Sequence, residues 1–172
     1  GVPTTDKPCF LELKKKYKSI VFKRRISAPY TDIKSYMAGE DSGIENSQIL
    51  KEIDYFRRFY GCLKPAADIF YDREAFYDRT DSSVRLPFDS NALARGWDLE
   101  LENGIYGERV LENGLYILEV KTSGAMPMWI AEMLHEFKIY PISFSKYGTA
   151  YKNGLLTREN KKIITLGGEY CA

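Results

Sequence analysis

Residues 9–26 read CFLELKKKYKSIVFKRRI, and the fold class turns on them. Apolar and charged side chains alternate through CFLELKKK and again through SIVFKRRI, with the polar Tyr17-Lys18 between. That is the pattern of two adjacent antiparallel strands. A period of two puts Glu12, Lys14 and Lys16 on one side of the first strand. On the second, Val21, Lys23 and Arg25 fall together, against Ile20, Phe22 and Ile26. Each strand therefore has one charged face and one apolar face.

Downstream, residues 29–38 form a short expected helix and 47–60 a longer one, because Ile49, Leu50, Ile53, Phe56 and Tyr60 recur at helical spacing behind the caps Asn46 and Ser47. The stretch 39–43 is the loop between them. ADIFYDREAFYD reads as a strand with Tyr71, Arg73 and Ala75 on one side. SVRLPFD sets Arg85 and Asp89 against Val84, Leu86 and Phe88, and its Pro87 points to an edge strand or a bulge. A further strand is expected at 97–101, then a Gly-rich loop ENGIYGERVLENG, then a strand LYILEVK. PMWIAEMLHEF reads as a helix with Pro127 in its first turn. A last helix over 143–152 is stopped by Asn153-Gly154, and TRENKKIITLGGEYCA is a surface strand or a frayed tail. Strands followed by helices in this order give an α+β class.

The 172 residues suit one domain, and 25 Lys+Arg against 24 Asp+Glu leave a charge of +1. No global field recruits nucleic acid or an anionic membrane, so any anion recognition must be local. No apolar run approaches the roughly 20 residues of a membrane helix. Cys9, Cys62 and Cys171 fit no metal or redox spacing and read as thiols of a reducing, cytoplasmic compartment. The chain opens on Gly1, so it is expected to be processed or to come from a longer protein. One histidine, His135, reads as a packing residue with its polar edge at the surface. Ser-His, Cys-His and multi-His mechanisms thereby lose their base or ligand. No G-x-x-x-x-G-K loop occurs, and Gly167-Gly168 matches no phosphate cradle.

The chemistry lies in a repeated device, Glu12-Leu13-Lys14 and Glu119-Val120-Lys121, each placing a carboxylate and an ammonium on one strand face. Lys23, Arg25, Arg73 and Arg85 stand at strand positions with largely apolar alternate neighbours. A curved sheet joining these strands would have a basic lining with a few carboxylates. Such a lining suits a triphosphate: Lys and Arg hold it and offset the charge that shifts during transfer, while a Glu can seat a hard divalent ion. A single E-x-K is ordinarily a solvated sheet face, and both readings stay open on the residues alone.

FLELKKKYKSIVFKRRI, YDREAFYD with VRLPFD, LEVKTSGAMPMW and YPISFSKYGTAY resemble, in order, segments of the VTC-type polyphosphate polymerase domain of the triphosphate tunnel metalloenzymes. The resemblance implies an antiparallel β-barrel tunnel flanked by helices that transfers the terminal phosphate of ATP to a polyphosphate chain with Mn²⁺ or Mg²⁺. By position, it implies that Lys14, Lys23, Arg25 and Lys146 bind the phosphates, that Arg73, Arg85 and Lys121 are the catalytic cations on them, and that Glu119 is the metal ligand, with Glu12 a weaker metal or ion-pair candidate. Ser143 stands where some relatives place a lysine. The basic strands that open the family's domain have no counterpart here, and about six candidate strands fall short of the roughly eight of a small closed barrel. The tunnel is therefore expected to be complete or partial; a partial one is supplemented by a second copy or another chain, closes differently, or is inactive. No nucleic-acid or direct membrane contact is expected. Hydrolysis of a triphosphate, and polyphosphate sensing without turnover, stand beside the polymerase reading.

Overall fold

The 9–26 stretch forms the expected hairpin: β1 (Pro8–Tyr17) pairs antiparallel with β2 (Ile20–Pro29), Glu12 opposite Arg25 and Lys14 opposite Lys23. The computed structural model describes residues 3, 7–18, 20–61 and 63–156. Cys62, Cys171, Gly167-Gly168 and the C-terminal segment read as a strand or tail lie outside the described residues.

Helix α1 (Tyr30–Ala38) follows directly and ends at Gly39, whose φ of +84° suits glycine. Helix α2 (Gln48–Tyr60) begins at Ser47, whose hydroxyl accepts the Leu50 N–H at 3.2 Å. Leu13, Tyr36, Leu50 and Ile53 are buried together, with Leu11, Ile26 and Phe56 packed against them. The Leu11, Leu13 and Ile26 part of the hairpin's apolar face is thus covered by both helices, Ile20 and Phe22 stay exposed, and the charged face is left open. Arg57 ties α2 to α1 by donating to the Tyr36 carbonyl at 2.9 Å, and the Tyr36 hydroxyl donates to Asp54 at 2.5 Å. These elements, with Glu100–Ile105, make one compact unit.

The other unit takes in Ala66–Leu99 and the chain from Tyr106. Strand β3 (Asp68–Tyr77) pairs antiparallel with β4 (Arg85–Arg95), whose other flank carries the short β5 (Glu108–Arg109) and β6 (Ile117–Leu118). Helices α3 (Met128–Glu136) and α4 (Lys146–Lys152) complete it. The protein is α+β with antiparallel sheets, and among the described residues these sheets do not close into a barrel. No described helix is long and apolar enough to cross a membrane.

Several expectations need correction. Strand β4 is central and not an edge. The ladder donor that Pro87 lacks would have faced Glu119: the Glu119 N–H donates to the Pro87 carbonyl at 3.0 Å, with no return bond to make. The β6 pairing breaks there and resumes as a bridge between Arg85 and Lys121, which shortens the strand expected over LYILEVK. The bulge in β4 lies instead near Asn91, at φ +49°. No strand runs over 97–101, because Asp98 turns the chain at φ +49° and Leu101–Asn103 form a 3₁₀ turn. The small strand β5 appears in the supposed loop. Pro127 caps α3 from outside its first turn, and α4 starts at Lys146, after Ser145 accepts the Gly148 N–H.

Candidate functional site

Strand parity assembles the site in the second unit. Arg73 lies opposite Asp89 and Tyr77 opposite Arg85 across β3 and β4. On the other flank Ile117 lies opposite Asp89 and Lys121 opposite Arg85, so Glu119 falls opposite Pro87. Cross-strand partners and alternate residues share a face. Arg73, Arg85, Asp89, Glu119 and Lys121 therefore stand on one side of one sheet. Phe76, Leu86, Phe88 and Leu118 take the other side, with the Phe76 and Phe88 rings edge to face.

Helix α4 adds Lys146. Ala150 is buried with Ala92 and Ala94 of β4, whose small side chains admit the helix. Residues four apart share a helix face. The packing that buries Ala150 thus turns Lys146 to β4, and its ammonium reaches Asp89 Oδ2 at 2.5 Å.

Asp89 is the hub. Its side chain is fully buried, and it accepts from Arg73 Nε at 2.6 Å and from the Arg73 terminal nitrogen at 2.8 Å, besides Lys146. Burial alone would raise its carboxyl, but the hydrogen bonds from Arg73 and Lys146 outweigh it and hold the group below the ordinary carboxylate range. The bond to Asp89 in turn holds Arg73 well above its usual value against the opposing effect of burial, with smaller contributions from Tyr71 and Glu119. The Tyr71 ring lies beneath both cations, 5.1 Å from the Arg73 guanidinium and 4.4 Å from the Lys146 ammonium. Glu119 and Lys121 form a half-exposed ion pair at 2.9 Å. Four cations against two carboxylates leave an excess of two positive charges on this face.

A model of the VTC domain family matches residues 2–154. The chain belongs to the VTC domain family. No curated protein matches it. Family membership associates this VTC domain with polyphosphate.

The remaining predicted residues lie in the first unit of the VTC domain. Glu12, Lys14, Lys23 and Arg25 share the open face of the hairpin, as their parity in the sequence required. Lys23 pairs with Glu12 at 2.8 Å, and the Arg25 guanidinium stacks 4.3 Å from the Phe10 ring. Lys14 stands directly opposite Lys23. Like charges in that relation destabilise a sheet, a cost that a bound anion would offset. Glu12 and Glu119 belong to different units, each with a lysine partner.

Among the described residues no group of three or more metal-ligating side chains occurs. With Asp89 held by two cations, the second unit's face offers one carboxylate, Glu119, for a divalent ion. That donor set fits Mn²⁺ or Mg²⁺ carried in on a triphosphate, whose oxygens and water fill the shell, and not an ion caged by protein alone. Sequence reasoning missed Asp89 and Tyr71 as parts of the site. The available signal was an aspartate flanked by Phe88 and Ser90 on the same strand face as Arg85, where an acid without a cation would be costly. His135 is exposed near the end of α3, outside this cluster. A cavity of about 340 Å³ at the β3–β4 turn, lined by Phe76, Tyr77, Val84, Leu86 and Trp129 among others, includes none of the candidate phosphate residues.

Proposed function

We propose that this VTC domain moves the terminal phosphate of ATP onto a polyphosphate chain, with Mn²⁺ or Mg²⁺ arriving on the nucleotide. The observation that supports this reading is the gathering of Arg73, Arg85, Lys121, Lys146 and Glu119 on one sheet face, around a buried acid that orders two of them. The open basic face of the hairpin, with Lys14, Lys23 and Arg25, is a second polyanion surface.

In this reading Arg73, Arg85, Lys121 and Lys146 hold the donor's phosphate oxygens and align the terminal phosphorus. A terminal oxygen of the acceptor chain attacks in line; its bond to phosphorus forms as the bond to the β-phosphate oxygen breaks, and ADP leaves. Glu119 would hold the metal, which would release Lys121 to phosphate, and such an ion would supply charge neutralisation at the phosphate oxygens. The loose transition state needs little covalent help, so no side-chain nucleophile or histidine is required.

Incubation with ATP and Mn²⁺ followed by gel electrophoresis tests the proposal. Long phosphate chains support it; orthophosphate alone points to hydrolysis, with water replacing the acceptor. Binding without turnover points to a sensor, a reading favoured by sheets that stay open among the described residues. Glu119→Ala should abolish metal-dependent turnover with the thermal melt nearly unchanged. Full turnover in that variant would remove the metal role.

A further inference from the structure

We propose that Asp89 is a positioning residue of the phosphate site: it fixes Arg73 and Lys146 side by side so that their outward donors converge on one phosphate group. The inference rests on the reading of this face as a phosphate site and extends it to a residue that never touches substrate.

The donor count carries it. Arg73 has five N–H groups and spends two on Asp89, from Nε and one terminal nitrogen. Lys146 has three and spends one. Three N–H groups on Arg73 and two on Lys146 are thus left by these bonds. The Arg73 side chain is 36% exposed and that of Lys146 16%, while Asp89 is fully buried. The acid therefore holds the pair from below and the open side is theirs. The Tyr71 ring packs against both cations as a further contact.

Two long cationic side chains brought to one place repel each other and lose rotamer freedom. Asp89 offsets the repulsion, and folding settles the ordering before any ligand arrives, the condition for preorganised recognition. The arrangement contains a sign test. If only net charge mattered, removing a carboxylate from an anion site would tighten anion binding. If position matters more, the same change loosens it.

The experiment is calorimetry with inorganic tripolyphosphate on the full chain and on Asp89→Asn. The expected result is binding weaker by roughly tenfold, the scale of one lost charge-assisted contact. Little further loss is expected when Asp89→Asn is added to Arg73→Ala. Should Asp89→Asn alone not fold, Asp89→Asn with Lys146→Met removes the acid together with one of its cations. It is compared with Lys146→Met and should bind several-fold more weakly. Equal or tighter binding in the acid-free member of either pair overturns the positioning role while leaving the phosphate site standing. A parent chain that binds no tripolyphosphate overturns both.

Discussion

Neutralising Asp89 should cost stability only where its carboxylate would be charged. The side chain is fully buried and accepts three charge-assisted hydrogen bonds, two from Arg73 and one from Lys146. Breaking a buried ion pair costs about 3–5 kcal/mol, and hydrogen bonds to charged groups are worth about 1.5–3 kcal/mol. Arg73 is about one-third exposed and an asparagine oxygen still accepts, so Asp89→Asn should cost about 2 kcal/mol at neutral pH. The folded carboxyl lies below its unfolded value of about 3.9. Its contribution is therefore fully present above that value and is lost as pH falls through the lowered folded one. Arg73, held above its usual value, keeps its charge throughout this range. Urea unfolding followed by near-ultraviolet circular dichroism at neutral pH, at about pH 5 and then in steps toward pH 2.5 reads this loss. The gap between parent and variant should hold down to about pH 5 and then narrow as pH falls. A gap that is absent at neutral pH, or that persists unchanged in acid, would refute the charged hub.

Lys14→Thr should relieve the apposition with Lys23 and stabilise the protein by about 0.2–1 kcal/mol, while weakening tripolyphosphate binding. Thermal melts and calorimetry read the two effects, and a destabilised variant would contradict the first. Leu13→Ala, in the core under α1 and α2, should cost about 2–5 kcal/mol in urea unfolding; a loss under 1 kcal/mol would mean the hairpin does not rest on those helices. Gly107→Ala should cost about 1–3 kcal/mol, because a Cβ there would lie 2.6 Å from the Ala94 carbonyl oxygen and the backbone has φ +155°. An unchanged melting temperature would show that the loop yields.

The hairpin was legible because alternation over residues 9–26 admits one register of faces, and the same parity put Arg85 and Asp89 on one side of their strand, while the register that brings Arg73 opposite Asp89 came from the fold. Ser47 and Gly39 signalled helix ends through capping chemistry that acts within a few residues. What the sequence hid was long-range. Pro87 argues for an edge when read alone, but in the sheet its missing donor falls on the one flank where β6 breaks off. The turn at Asp98 depends on a left-handed backbone that no local pattern marked. The convergence of Lys146 on Asp89 spans 57 residues and follows from Ala150 packing on Ala92 and Ala94. Propensity and periodicity hold no information about that contact. The lysine itself came from a family resemblance, and its partner came from the fold.

The most direct measurement compares tripolyphosphate affinity across substitutions chosen by face. Arg85→Ala removes a cation from the shared face of β3, β4 and β6, whereas Lys51→Ala removes an exposed one from α2. Affinity should fall about tenfold in Arg85→Ala and stay at the parent value in Lys51→Ala. Equal affinity in both variants would contradict the account, since anion binding would then owe nothing to this face.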